Sequence, residues 1–363
     1  MSGYRTIRDF DWIMVILATA ICGLGVLQIF SATHETRFGD AWWKQVVWIL
    51  AGIITMWIAT LIDYHTLLGQ VPVLYAISVV TLVATYLLGM SAFGSRRWIG
   101  TGSYHLQVSE FVKLVIVLLV TRYMTELKTD QLQLFDLLKI GGLVGLPMIM
   151  VMIQPDLGTA LTFIPILIAG IFLAGFRWQY AVAAVLIIAL AAPVCYWFVL
   201  KDYQRSRVVS FLDPSHDPKG SGYQVIQSKI AVGSGALWGK GVTKGTQTQG
   251  GFLPVAFRDF IFSAFAEEHG FVGVIVALGL YFLLLMQIVQ NAQTAPDRAG
   301  MYICIGIAAV LLFHVLVNVG MVVGRMPVTG IPLPLMSSGG SNIIAVFLML
   351  GLVNNVRLRR FVN

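Results

Sequence analysis

Apolar stretches of about 20 residues recur along the chain between short polar segments. Ten of them approach the length of a bilayer crossing: 12–31, 43–62, 72–90, 108–124, 136–153, 158–175, 179–200, 271–290, 302–324 and 342–357. None alternates with the period of two that lipid-facing barrel strands show, and in lipid a helix satisfies its own backbone groups, so the pattern predicts helices. The segment of about 201–270, between the seventh and eighth runs, is too polar to span. Its aromatic and glycine content argues against free coil, and residues 222–236 have the spacing of an amphipathic helix lying on the membrane or the bundle. The expected fold class is an all-α integral membrane protein. It would be a single polytopic domain over 1–363, with ten transmembrane helices and a large extracytoplasmic loop between helices 7 and 8.

Composition agrees. The chain is 58% hydrophobic and 11% charged, against about 25% charged residues in soluble domains. A net charge of +7 is spread over short loops, which suits membrane topology and not nucleic acid. Cys22, Cys195 and Cys304 fall inside apolar runs, and His34, His65, His105, His216, His269 and His314 have no ligand spacing. Neither set reads as a metal site. Arg5 and Arg8 precede the first run, whose length suits a span better than a cleaved signal. Lys and Arg concentrate in the loops that contain Arg122, Lys128, Lys139, Arg177, Arg298, Arg357, Arg359 and Arg360. Those loops are expected to be cytoplasmic, with both termini inside and the long loop outside. Four unusual polar stretches, 95–113, 154–159, 201–268 and 327–342, then share the outer face. A transporter would place such groups near the midplane. This arrangement points to a site at the outer leaflet.

Each stretch carries candidate chemistry beside a plainer reading. Arg96 and Arg97 lie on the side that the charge rule disfavours. They suit an anionic ligand such as phosphate, or they are solvated or bind headgroups. Glu110 and Lys113 share a helix face three residues apart, as a site pair or as a packing ion pair. Asp156, after Pro155, reads equally as an N-cap. Arg205, Arg207, Lys229 and Lys240 give the long loop positive charge for a phosphate or sugar-phosphate. Asp259 lies among Phe257, Phe260, Ile261 and Phe262. It is either a cap, with Glu267 and Glu268 as dipole partners, or a poorly solvated carboxylate able to act as a general base. Ser337 and Ser338 open "SSGGSN" at the last helix, which suits an anion cradle or tight packing.

The stretches "RRWI", "SEFVK", "QPDLGT", "GYQVIQSKIAVGSG", "GTQTQ", "DFIF", "AEEHGF" and "TGIPLPLMSSGGSN", in this order and over essentially the whole chain, resemble the SEDS family of bacterial cell-wall proteins. The resemblance is strongest to its elongation members. It implies a glycosyltransferase that polymerises lipid II into glycan at the outer face of the bacterial cytoplasmic (inner) membrane. The implied partners are a class B penicillin-binding protein, lipid II with its growing lipid-linked glycan, and membrane lipids. The alternatives are a flippase for the same lipid, or the division or sporulation paralogue with the same chemistry.

By resemblance, Asp259 is the essential acid. Glu110, Lys113, Asp156, Ser337 and Ser338 belong to the cavity, and Arg96, Arg97 and Lys113 are candidate phosphate cations. A divalent cation, Mg or Mn, is compatible with a diphosphate substrate, without assigned ligands. The chain departs from the family pattern at Val108, at Asn342 and most of all at Arg258, a cation beside the presumed base that either tempers its basicity or contacts phosphate.

Overall fold

The computed structural model describes residues 9–360 except 35, 93–94, 102–103, 128–131, 176–177, most of 181–201, 214–219 and 254. Nine of the ten expected spans coincide with helices: α1 Trp12–Thr33, α2 Ala41–Leu61, α4 Val71–Leu88, α5 Val108–Glu126, α6 Leu134–Ile153, α7 Leu157–Leu161 running on into α8 Phe163–Ala174, α12 Ile261–Gln293, α13 Arg298–Val322 and α14 Gly340–Arg359. The tenth, at 179–200, lies largely outside the described residues. Among the described residues, eight of these spans are long and apolar enough to cross a membrane. The exception, α5, carries Glu110, Lys113, Arg122 and Glu126. It packs against α4, α8, α13 and α14, which bury Glu110 and Lys113, whereas Arg122 and Glu126 pair with each other at its more exposed end.

Short helices complete the order: α3 Tyr64–Gly69, α9 Asp202–Leu212, α10 Ser221–Ser234 and α11 Thr246–Gln249. The amphipathic stretch expected at 222–236 is α10, packed on α12 and α13, so it lies on the bundle. One feature departs from an all-helical fold. A three-stranded antiparallel sheet, β1 Met90–Ala92, β2 Ser95–Thr101 and β3 Tyr104–Leu106, links α4 to α5. Strand pairing satisfies a connection that is too polar to continue either helix.

The interior of the bundle is built around α14, which runs along α2. Small residues set that approach: a methyl group on Gly351 would come within 2.6 Å of Met56 O. Cys22 and Cys304 are buried free thiols in this apolar interior.

α12 breaks at Gly270, where φ is +66°. The preceding turn, 235–241, closes over the break. Lys240 N and Gly241 N donate to Glu267 O and Glu268 O, and Phe271 N and Val272 N donate to Ala236 O and Leu237 O, at 2.9–3.1 Å. The four backbone groups that the kink would orphan are thereby satisfied. Glycine is required on both sides, because a side chain at Gly270 or Gly239 would strike the other strand of this junction.

Candidate active site at the long-loop face

Sequence-local rules place the first acid. Asp156 caps α7 through Thr159 N (3.3 Å) and also accepts from Thr159 Oγ1 (3.0 Å), so the cap reading holds. It does more than cap. Gln107, delivered by β3 to the start of α5, donates its Nε2 to Asp156 Oδ2 at 2.7 Å, and its backbone N–H reaches Ser341 Oγ at 2.9 Å. One glutamine therefore joins the starts of α5, α7 and α14.

One turn into α5, Glu110 and Lys113 form an ion pair at 2.9 Å, with side chains 3% and 2% exposed. A buried charge needs full coordination. Asn342 Nδ2 donates to Glu110 Oε2 at 2.8 Å, and His314 Nε2 lies 3.1 Å from Lys113 Nζ. Lys113 is thus held inside the protein by Glu110 and His314, and the pair makes a buried charged floor beneath the next loop.

The loop at 327–339 roofs this floor. Asn318 on α13 donates to Ile331 O (2.9 Å) and to Asp259 O (3.0 Å), and His314 bonds Pro332 O through Nδ1 (3.1 Å). Gly330, at φ +73°, lies beside Asp259, where an added side chain would come 3.6 Å from Oδ2. On the other side of the loop, Gly158 packs against Thr329 O, to which Arg207 Nη1 donates at 3.4 Å. Asp259, Asp156, Arg207 and the Glu110–Lys113 pair are in this way brought to one loop.

Asp259 is half-buried and precedes Phe260, the N-cap of α12, which makes no side-chain cap. Its neighbour Arg258 is exposed, with Cζ 5.6 Å from the Phe257 ring centre.

Other expectations change. Ser337 is buried, and its hydroxyl donates to Arg258 O (2.7 Å) and accepts from Leu333 N (2.9 Å). Ser338 N bonds Phe257 O at 3.0 Å, and Gly339 N bonds Gln45 Oε1 at 3.3 Å. At "SSGG" the Ser337 hydroxyl and the Ser338 N–H hold the backbone at Arg258 and Phe257, and Gln45 takes the Gly339 N–H. Arg205 donates to Tyr196 O (2.9 Å) and Trp197 O (2.7 Å), while Lys229 is exposed beside Gly324. Arg96 and Arg97 lie in β2, and their side chains fall outside the described residues.

Glu267 and Glu268 are not dipole partners. Glu267, fully buried, accepts from Lys240 Nζ (2.8 Å), Gln247 N (2.9 Å), Thr248 N (3.1 Å) and Thr248 Oγ1 (2.9 Å). Glu268 accepts from Ser31 Oγ at 2.6 Å. The two acids fasten the 240–250 loop and α1 to α12. Among the described residues, no group of three or more His, Cys, Asp or Glu is placed to hold a metal ion.

His314, Asn318, Gln107 and Gln45 were not singled out by sequence reasoning. The available signal was His314 and Asn318 at i, i+4, two polar residues on one face of a membrane-length apolar helix.

Comparison with known proteins identifies full-length relatives of the chain. The FtsW/RodA/SpoVE family model, described as cell cycle protein, matches residues 11–360. The chain is 36% identical to the peptidoglycan glycosyltransferase MrdB of Escherichia coli K12, over 96% of this chain and 94% of that one. It is 30% identical to the peptidoglycan glycosyltransferase RodA of Treponema pallidum, over 98% and 99%. Among solved structures, a chain from a study of how a peptidoglycan synthase complex coordinates polymerization and crosslinking superposes with a TM-score of 0.83 at 31% identity, covering 98% of this chain and 99% of that one. The rod shape determining protein RodA of Thermus thermophilus superposes with a TM-score of 0.73 at 27% identity, over 99% of each chain.

Proposed function

The chain belongs to the FtsW/RodA/SpoVE (SEDS) family of cell cycle proteins, and we propose that the cavity between Asp259 and the Glu110–Lys113 floor is where it extends glycan strands from lipid II. It is a peptidoglycan glycosyltransferase of the multi-pass membrane type, as are its full-length relatives. The observation that carries the site is the half-buried Asp259, its backbone pinned by Asn318 and by Ser337 on the adjoining Arg258 carbonyl, above a floor of buried charge.

In the reaction we infer, the acceptor's 4-hydroxyl oxygen attacks the anomeric carbon of the donor. The new C–O bond forms as the bond to the lipid diphosphate breaks, with inversion. Asp259 takes the hydroxyl proton, and the diphosphate leaves with the bonding pair. An inverting displacement needs one base and a stabilised leaving group, and no covalent intermediate. The candidate cations for the leaving group are Arg258 and Lys229, both exposed, with Arg207 at the loop. Arg205 supports the chain before α9 through its carbonyl bonds. The buried pair, with Asp156 and Gln107, supplies rigidity. A rigid frame holds reacting groups within the tolerance that displacement requires. A divalent Mg or Mn ion would enter with the substrate diphosphate; among the described residues no group of three or more His, Cys, Asp or Glu is placed to hold a metal ion. The positive-inside pattern supports cytoplasmic termini, with the site facing outward from the cytoplasmic membrane. A class B penicillin-binding protein is the partner that would crosslink the product. The synthase complex that contains the structural neighbour supports that pairing.

The test is polymerisation of fluorescent lipid II by the purified protein with its transpeptidase partner, comparing wild type and Asp259→Asn. Long glycan from wild type and none from a folded, partner-binding variant supports the assignment. Equal product from both removes Asp259 from the chemistry. No product from wild type would return the flippase reading.

A further inference from the structure

His314 is 2% exposed on α13, and both of its ring nitrogens are engaged, Nε2 with Lys113 Nζ and Nδ1 with Pro332 O, each at 3.1 Å. Chemistry fixes the direction of both bonds. Lys113, paired at 2.9 Å with the Glu110 carboxylate, is an ammonium with three N–H groups and no lone pair. His314 Nε2 must therefore accept, so the ring is neutral and its one N–H sits on Nδ1. Pro332 has no N–H and its carbonyl can only accept. The result is an unbroken directional string in which Lys113 donates to His314 and His314 donates to Pro332. Glu110 anchors it at one end, itself held by Asn342.

The string ends on the loop that faces Asp259. Pro332 lies two residues after Gly330, which packs beside Asp259 Oδ2, and three after Thr329, whose carbonyl meets Arg207. One helical turn along, Asn318 holds the neighbouring carbonyl of Ile331 together with Asp259 O. Two side chains on one face of α13 thus set the depth of the loop: Asn318 ties it to the acid, and His314 ties it to the charged floor.

We infer that His314 is a positioning residue, which as the neutral Nδ1–H tautomer transmits the fixed position of the Glu110–Lys113 pair to the 327–339 loop and so to Asp259. It touches no reacting atom. An apolar residue in its place leaves the buried Lys113 ammonium short of an acceptor and the part-buried Pro332 carbonyl short of a donor. Glutamine keeps one acceptor and one donor at about the separation of the two ring nitrogens. The consequence for rate rests on the assignment of Asp259 as the base, whereas the consequence for the loop does not.

The experiment compares wild type, His314→Gln and His314→Leu, each with its transpeptidase partner. It reads kcat and KM for fluorescent lipid II, hydrogen exchange across 327–339, and thermal unfolding. His314→Leu is expected to lower kcat by about tenfold or more with KM changed by less than about twofold, and to speed exchange in 327–339 selectively. His314→Gln should stay within about threefold of wild type in kcat, with slow loop exchange. A folded His314→Gln as impaired as His314→Leu, or a His314→Leu with wild-type kcat and exchange, overturns the inference. If His314→Leu does not fold, His314→Gln decides alone: retained activity and slow loop exchange support the string, and their loss removes it. Asp259→Asn is assayed alongside. An active Asp259→Asn would retire the base assignment and leave the loop-exchange result standing.

Discussion

Where the first and last helices meet, Asp11 is fully buried, and its carboxylate accepts from Met14 N, Gln287 Nε2, Asn291 Nδ2 and Arg357 Nη1 at 2.6–3.1 Å. At the opposite, long-loop end, Asp259 is half-buried, and bonds from Asn318 to its own carbonyl and from Ser337 to that of Arg258 hold its backbone. Both acids are held in place, but by different means. Donors from three helices surround the Asp11 carboxylate, so it joins α1, α12 and α14. Asp259 has its main chain held by these bonds, and its side chain lies beside Gly330 of the 327–339 loop. Burial of charge alone does not mark a reactive group. The division we propose is that Asp11 serves the fold and Asp259 the reaction.

The largest expected effect breaks this contrast directly. Asp259→Asn should lower kcat for glycan polymerisation by at least about 100-fold, the scale of a lost general base, with unchanged unfolding temperature. Asp11→Ala should do the reverse. It leaves Arg357, Asn291 and Gln287 without their acceptor, costs about 3 kcal/mol of stability, and leaves kcat per folded molecule within about twofold. The two readouts are polymerisation and thermal unfolding on the same preparations. A stable Asp11→Ala that has lost polymerisation would end the division of roles.

The Glu110–Lys113 pair shares features of both ends, since it is buried and paired yet tied through His314 to the loop beside Asp259. Lys113→Met alone strands a buried carboxylate, and a loss of about 3–5 kcal/mol is expected. Adding Glu110→Leu removes the stranded charge and should recover most of that stability. Activity should stay low in the double variant, by at least about tenfold, because the string through His314 to Pro332 has lost its anchor. A double variant that regains both would make the pair purely structural.

How much of this was legible in the sequence follows from how local each cause is. Spans announce themselves by length and apolarity, and the Asp156 cap needs only the residues of its own first turn. The sheet at 90–106 was missed because its strands are three, seven and three residues long, too short for a clear alternation. Glu267 and Glu268 read as dipole partners of their own helix. Their actual donors come from a loop 19–27 positions earlier and from Ser31, 237 positions away. The hydroxyl and N–H groups of "SSGG" pointed to an anion, yet their partners were the carbonyls of Phe257 and Arg258 and the amide of Gln45. Sequence showed which residues had unusual chemistry. Long-range packing decided which of them spend that chemistry on the fold.

The junction at Gly270 offers a sharper test of the long-loop end. Gly270→Ala must place a side chain at φ +66° against Leu237 and Gly239. A loss of about 2 kcal/mol is expected, with faster hydrogen exchange at 235–250, because the four junction bonds cannot all persist. Gly279→Ala lies further along the same helix with open space around its Cα. It should stay within about 0.5 kcal/mol of wild type, or gain slightly from helix propensity. Equal behaviour of the two variants would show that the break is not locked by this contact.

The smallest effect concerns pH and belongs to the chain-terminal end. Asp297 caps α13, and Asp63 caps α3. Partial burial pushes the Asp297 carboxyl up, but Gly300 N–H, the Tyr64 hydroxyl and His65 outweigh it and hold the group below the usual carboxylate range. Asp63 behaves alike: burial is outweighed by the His65 backbone and ring, with Arg359 adding to the lowering. A carboxyl whose pKa is depressed in the folded state contributes stability above its unfolded value, about 3.9. That contribution is lost as pH falls through the lower folded value. Both side chains are about one-third exposed, so the effect is below about 1 kcal/mol. Thermal unfolding of wild type and Asp297→Asn should therefore differ by a small, constant amount from pH 5 to 7, about the range above carboxylate titration. The two curves should converge as pH drops below about 4, where the wild-type carboxyl protonates. A gap that widens toward acid would reverse the sign, and it would mean that the donors at this end do not hold the carboxylate in its charged form.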